Sequence, residues 1–347
     1  MKMKKKHTII KGFCCIIVTI ILSIKFNTIK SQINSSLKIW LEIIVPSLFP
    51  YLILSQYISS SGFLNICKPL NRIISKIFNI NSSCTAVYLC SLVCGYPSGA
   101  VCINELYKNK ICSKEEAENV VCFTNNSSPL FLVSAVGGCM LGSLKDGLAL
   151  YIIQLISSAI IGLFLRKRNK SDMSENIRHP PYKSLSDCCS SAVATLILIC
   201  SQIIMWSIIA KIIIIISNYI IPSKISEYVA FSIFELSTAI KLISAFPQSA
   251  ITFALISFCC SFGSISVIMQ IKSVLPDEFS FKKIFISKTM QGIISFFLSI
   301  AYRTSMTDPR QTFNYSYPAK AMTLISIGIF ILCLFYTSTA KKRKKRN

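Results

Sequence analysis

The sequence predicts an all-α polytopic membrane protein, and three observations carry that reading. Of 347 residues, 52% are hydrophobic and only 15% are charged, with a mean hydropathy of +0.59. Several apolar runs reach the roughly 20 residues that a membrane-spanning helix needs. The basic residues behind the net charge of +23 are clustered. They crowd into the N-terminus (Lys2, Lys4, Lys5, Lys6, Lys11), the stretch from Arg166 to Lys183, and the tail Lys341-Lys342-Arg343-Lys344-Lys345-Arg346. Basic loops flanking apolar spans mark the cytoplasmic side. The same distribution argues against a nucleic-acid partner, since no basic patch is interleaved with aromatics on a soluble domain. Anionic membrane lipid is the partner that suits these charges.

The N-terminus mimics a secretory signal, with basic residues ahead of an apolar core at 9–24. The following Lys25-Phe26-Asn27-Thr28-Ile29 has no small-x-small cleavage site, which predicts a retained first helix. A polar link at 25–36 leads to a second span at 37–59, kinked or broken by Pro46 and Pro50. Lys68, Arg72 and Lys76 recur every four residues with Leu70, Ile73, Ile74 and Ile77 between them, the pattern of an interfacial amphipathic helix. The apolar stretch 83–105 is interrupted by Gly95-Tyr96-Pro97-Ser98-Gly99. A hydrophilic, helix-prone segment at 105–118 carries Ser113 and Glu116 at capping-box spacing. A third span at 119–141 holds Thr124-Asn125-Asn126-Ser127-Ser128-Pro129 in its first half, and a fourth lies at 146–165.

The polar loop 166–187 divides the chain. Beyond it, 188–217 is too long for an upright helix and predicts tilt or bending. Then follow 222–247, 249–272, and spans at 284–302 and 320–338. The sixteen cysteines lie mostly in apolar spans and none has zinc-site spacing, so they read as small hydrophobes.

The two halves resemble each other. Pro97-Ser98-Gly99-Ala100 matches Leu236-Ser237-Thr238-Ala239, the segment from Phe123 matches that from Phe258, and the run from Tyr151 through Gln154 matches that from Lys288 through Gln291. The offsets are 139, 135 and 137 residues. Near-equal offsets in order are the sequence trace of a transporter-type internal repeat. If 83–105 and 227–247 are re-entrant hairpins, eight transmembrane helices remain, all three basic regions fall inside, and the second repeat is inverted. The divisions are then an N-terminal membrane helix and link (1–36), a first repeat (37–165), a cytoplasmic linker (166–187), a second repeat (188–305), and a last membrane helix with its basic tail (306–347).

Helix breakers at membrane depth are tolerated only where protein buries them or they line a wet cavity. This singles out Gly95, Tyr96, Pro97, Ser98 and Gly99 with Thr124, Asn125, Asn126, Ser127 and Ser128 as one wall of a substrate site. Glu235, Ser237, Thr238, Gly263, Ser264, Ser266 and Gln270 form the other. A half-helix starting near Ser98 would turn its positive end toward an anion. Glu235, between Phe234 and Leu236, is expected to pair, face water, or bind a coupling cation or proton. An intact helix would not bring Lys241 to it, but a broken one could. Lys211 is expected to snorkel and Glu42 to be interfacial. No G-x-S-x-G, Walker or H-E-x-x-H motif is present, so neither an enzyme nor a metal or cofactor site is expected.

Val45-Pro46-Ser47-Leu48-Phe49-Pro50, Cys94-Gly95-Tyr96-Pro97-Ser98-Gly99-Ala100, Glu115-Glu116-Ala117-Glu118 and the segment from Phe123 to Phe131 resemble the YlbJ/SpoVV family of sporulation integral membrane proteins. Phe234-Glu235-Leu236-Ser237 and Ser261-Phe262-Gly263-Ser264-Ile265-Ser266 continue the likeness into the second half. The resemblance implies a nucleoside-recognition, or Gate, domain similar to concentrative nucleoside transporters, with substrate held between two re-entrant hairpins. It further implies passage of dipicolinic acid, a small dianion, across the outer forespore membrane of a spore-forming bacterium. Nucleoside transport and a non-transporting scaffold for the spore envelope are the alternatives. A second copy of the chain, or spore-envelope proteins, are the protein partners such roles admit.

Overall fold

The computed structural model describes residue 12 and residues 16–60, 68–166, 184–218 and 223–306, and the secondary structure among them is helical throughout. Residues 9–11 and 13–15 of the predicted first span and all of the last, at 320–338, lie outside these residues.

The chain opens with α1 (Ile16–Ile24) and turns by 90° into α2 (Phe26–Ile39). The polar link expected at 25–36 is therefore helical. Ile29, Ser36 and Ile39 are buried and Gln32, Ile33 and Ser35 half-buried, while the remaining residues of α2 stay exposed. A π-helical turn (Trp40–Ile44) joins α2 to α3 (Val45–Ser60), which carries Pro50 in its interior. The Trp40 indole N–H donates to the Leu196 carbonyl at 3.1 Å, and the Ser36 and Ser207 hydroxyls meet at 2.7 Å. These bonds fix the N-terminal layer against α9 (Leu185–Ser217), the long helix that the apolar run predicted.

The expected amphipathic segment forms α4 (Lys68–Phe78). Next come α5 (Ser82–Cys94) and α6 (Ser98–Lys108), separated by residues 95–97. Their outer ends meet, because the Asn81 amide donates to the Ile111 carbonyl at 3.3 Å. The pair is thus a helical hairpin with residues 95–97 at its tip. Glu116 contributes to that closure rather than to a reciprocal capping box. Ser113 caps α7 (Lys114–Thr124), but the Glu116 carboxylate accepts from the backbone and side chain of Asn81, at 2.7 and 3.1 Å.

The span predicted at 119–141 is not one helix. It breaks after Thr124, is non-helical through 125–128, and resumes at Pro129, running into a π-helical segment (Phe131–Met140). That segment presses on α8 (Leu144–Phe164) so closely that a Cβ on Gly137 would lie 2.5 Å from the Gly147 Cα. Close backbone approach through small residues is how membrane helices associate.

The second half repeats this order. α10 (Ser223–Phe234) and α11 (Leu236–Ser244) flank Glu235, and their far ends meet through the rings of Tyr228 and Phe246, 4.8 Å apart. α12 (Ala250–Phe262) and α13 (Ser264–Ser273) are separated by Gly263 alone, and α14 (Phe281–Met306) follows.

α14 spans 26 residues, about 39 Å at the helical rise, and orients both hairpins. Near its start Lys283 pairs with Glu118 at 3.5 Å, while near its end Arg303 pairs with Asp146 at 2.6 Å. The α5–α6 hairpin opens at the Lys283 end, where Asn104 donates to the Val274 carbonyl at 2.7 Å and Tyr107 to Glu278 at 2.5 Å. The α10–α11 hairpin opens at the other end, where it leads into α12 and the Phe253 ring packs 4.3 Å from the Arg303 guanidinium.

Among the described residues, four helices are long and apolar enough to cross a membrane, or five if the bent pair α1–α2 is one span. Of the eight predicted spans, the last and part of the first lie outside these residues, and that at 119–141 is divided at 125–128. Ile152, Ile156, Leu163, Ile197, Ile213 and Ile216 are exposed on α8 and α9. An apolar surface of this kind belongs against lipid. The described cysteines carry no disulfide, and most are buried, as their apolar settings predict.

Candidate functional site

The two breaks of the first half form one unit. Gly95 has φ +75°, and a Cβ there would sit 2.7 Å from the Ser128 amide nitrogen, so glycine alone lets the hairpin tip touch the segment at 125–128. The Tyr96 amide donates to the Asn126 carbonyl at 2.8 Å. Ser98 donates its hydroxyl to the Gly95 carbonyl. The Asn125 side chain accepts from the Ala100 amide at 2.9 Å and donates to the Val121 carbonyl at 2.9 Å, joining the start of α6 to the end of α7. Residues 124–128 are at most 1% exposed. The predicted first wall, from Gly95 to Gly99 with Thr124 to Ser128, is thus a single buried cluster.

The second wall is only partly assembled beside it. Ser127 reaches the Cys260 carbonyl of α12 at 3.3 Å, and Tyr96 interacts with the Ser127 side chain within electrostatic range of Glu235. By contrast, Ser264 and Ser266 bond each other at 3.0 Å. Gln270 is buried, and its side-chain oxygen has no hydrogen-bond partner among the described residues.

Glu235 is 1% exposed, and its two oxygens accept from the amides of Ser237 at 2.9 Å and Thr238 at 2.7 Å. It is the N-cap of α11. A carboxylate suits the positive end of a helix, which satisfies it without a cation. The suggested pairing with Lys241 does not occur, as Lys241 is exposed. Lys211 does not simply snorkel but pairs with Glu227 at 3.3 Å, and Glu42 lies exposed, 3.9 Å from Lys38.

This changes where a negative charge would be met. The helix start near Ser98, expected to face an anion, is engaged by the Asn125 side-chain oxygen, and the start of α11 is covered by Glu235. The positive group at the centre is instead Lys288 on α14, 1% exposed, which donates to the Asn125 carbonyl and to Gln291 Oε1. Sequence reasoning missed it as a site residue, although an ionisable residue inside an apolar span is itself a functional signal.

Two glutamines noticed only as repeat markers also belong to the centre. Gln154 of α8 donates to the Cys260 carbonyl at 2.9 Å and to Ser127 at 3.3 Å. Gln291 of α14 donates to Asn126 Oδ1 at 2.7 Å and to the Gln154 carbonyl at 3.4 Å. Each glutamine reaches across to the broken helix of the other half. The two lie 137 residues apart, and that offset in the sequence carried the signal.

No family model matches the chain, and no solved structure matches it. Among curated proteins it is 24% identical, across 362 aligned positions covering 88% of each chain, to the sporulation integral membrane protein YlbJ of Bacillus subtilis strain 168.

Proposed function

We propose that this chain, which is similar to the sporulation integral membrane protein YlbJ over 88% of its length, belongs to that family and is a secondary-type transporter of a small anionic solute, dipicolinic acid, built as an inverted repeat of the Gate type. The supporting observation is the buried polar centre. Two helical hairpins open at opposite ends of α14, and their tips flank two broken helices at mid-length. Broken helices at the bilayer midplane, related by an inverted repeat, are how many secondary transporters build their sites. In this reading the hairpins are re-entrant, and alternating access is a rocking of one hairpin and broken helix against the other. Glu235 is the place for a coupling proton, and the membrane is the outer forespore membrane.

The test is uptake of labelled dipicolinate by purified protein in liposomes, with uridine as competitor. Saturable uptake that is lost in Ser98→Leu and Asn126→Leu at unchanged protein level is expected. Inhibition by uridine with no dipicolinate uptake would reassign the substrate to nucleosides. One observation favours a second reading, a non-transporting scaffold for spore-envelope assembly. The side chains of Asn125, Asn126 and Ser127 all bond within the protein, as in a rigid core. Wild-type liposomes that take up neither solute, with an envelope protein co-purifying, would select it.

A further inference from the structure

Lys288 lies seven residues into α14, at the junction of the first broken helix with the second half. Its ammonium has three donors. Two reach neutral acceptors, the Asn125 carbonyl and Gln291 Oε1. Among the described residues no carboxylate lies within ion-pair distance. Glu118, on the facing helix α7, is held by Lys283 and the Ser280 amide, at 3.5 and 3.1 Å. Glu235 is held by the amides of its own helix. A lysine at bilayer depth costs about 3 kcal/mol on insertion scales and marks a substrate or ion pathway when it persists. Neutral packing would be served as well by glutamine or methionine, which avoid that cost. A second unmet need lies close by. Gln154 Oε1 is buried with no hydrogen-bond partner among the described residues, while the amide nitrogen of the same side chain binds Ser127 and Cys260. A ligand that brings a carboxylate to Lys288 would satisfy the first.

We propose that Lys288 is the specificity-determining residue of this site, its ammonium binding one carboxylate of a small carboxylate substrate. The assignment rests on the transporter reading above and extends it by naming the group that selects an anion over a neutral solute. Lysine suits the task as a compact charge with a donor still to give.

The experiment uses full-length protein. Binding in detergent micelles is followed by the ligand-induced rise in Tm, and flux is followed in liposomes from the same preparations. The probes are pyridine-2,6-dicarboxylate and its neutral diamide. Wild type is expected to bind the dicarboxylate about tenfold or more tightly than the diamide. Lys288→Gln should lose that preference while holding diamide affinity within about twofold, and Lys288→Arg should keep it, since losing one partner of a buried charge contact is a large effect. Lys288→Gln that retains the preference, or that weakens both probes equally, overturns the proposal. So does wild-type protein that does not discriminate, a result that stands even if Lys288→Gln does not fold. Selective dicarboxylate binding without flux would instead overturn the transporter reading and leave the assignment of Lys288 in place. Flux of neutral solutes with no carboxylate preference would do the reverse.

Discussion

The hairpin tip at 95–97 and the hairpin tip at Glu235 occupy matching places in the two halves, yet they are held in different ways. The first has no charge of its own. It relies on a glycine at positive φ, a main-chain pair between Tyr96 and Asn126, and an asparagine from the neighbouring helix. The second is held by a carboxylate that caps its own helix. The first tip therefore depends on another element, whereas the second is largely self-contained. The difference shows that one element order can be stabilised through tertiary contact in one half and through local capping in the other. It also shows why Lys288, a residue of the second half, matters to the first, since it completes the main-chain bonding of Asn125.

The largest expected effect tests this dependence with two glycines. Gly95→Ala sets a Cβ 2.7 Å from a backbone nitrogen, and should cost about 3 kcal/mol or more through strain and overlap. Gly263 also has positive φ, but its Cβ would meet only the side chain of Val267, at 3.0 Å. Gly263→Ala should cost about 1–2 kcal/mol. Thermal unfolding in detergent compares the two, and equal losses would remove the distinction between the halves.

Capping comes next. Glu235→Ala leaves two buried amides of α11 without their acceptor and should destabilise by about 2 kcal/mol, while Glu235→Gln keeps one oxygen and should lose less. Amide exchange localised to α11 is the measurement. Protection that is unchanged in Glu235→Ala would mean that the second tip is not held by its own cap.

The cross-bracing glutamines give a smaller but more specific signal. Gln154→Leu and Gln291→Leu each remove bonds to the opposite half, and the two residues are themselves in contact. A double-mutant cycle on Tm should show coupling of about 1 kcal/mol, whereas strict additivity would indicate that the two halves are braced independently. The smallest effect is expected at Asp146→Asn. Its ion pair with Arg303 is partly exposed, at 16% and 24%, and such pairs contribute about 1 kcal/mol or less.

Much of this molecule was legible as composition and punctuation. The helix breaks at 95–97, 125–128 and 263 follow from residues whose backbone preferences act locally. The amphipathic α4 and the long α9 follow from periodicity and run length. The position of Lys288 could have been inferred from its apolar flanks, and those of Gln154 and Gln291 from their shared offset. Their partners could not be read in this way, because Gln154 meets Cys260 106 residues away and Lys288 meets Asn125 163 residues away. The helical nature of 25–36 was obscured because polar residues in a link and on the outer face of a buried helix look alike until something packs against the other face.

The sequence by itself determined an all-helical membrane protein, the places where its helices break, and the matching order of the two halves, since each depends on the solvent a residue prefers or the backbone it permits. Tertiary structure decided which breaks meet, which end of α14 each hairpin opens toward, and which charges are already satisfied. Glu235 looked exceptional in its apolar surroundings and is capped within its own helix. Lys288 was singled out only as the start of a repeat match, and it stands at the centre bonded to two neutral acceptors. The physical reason is that desolvation can be read from neighbours in sequence, whereas the bonds that offset it come from neighbours in space.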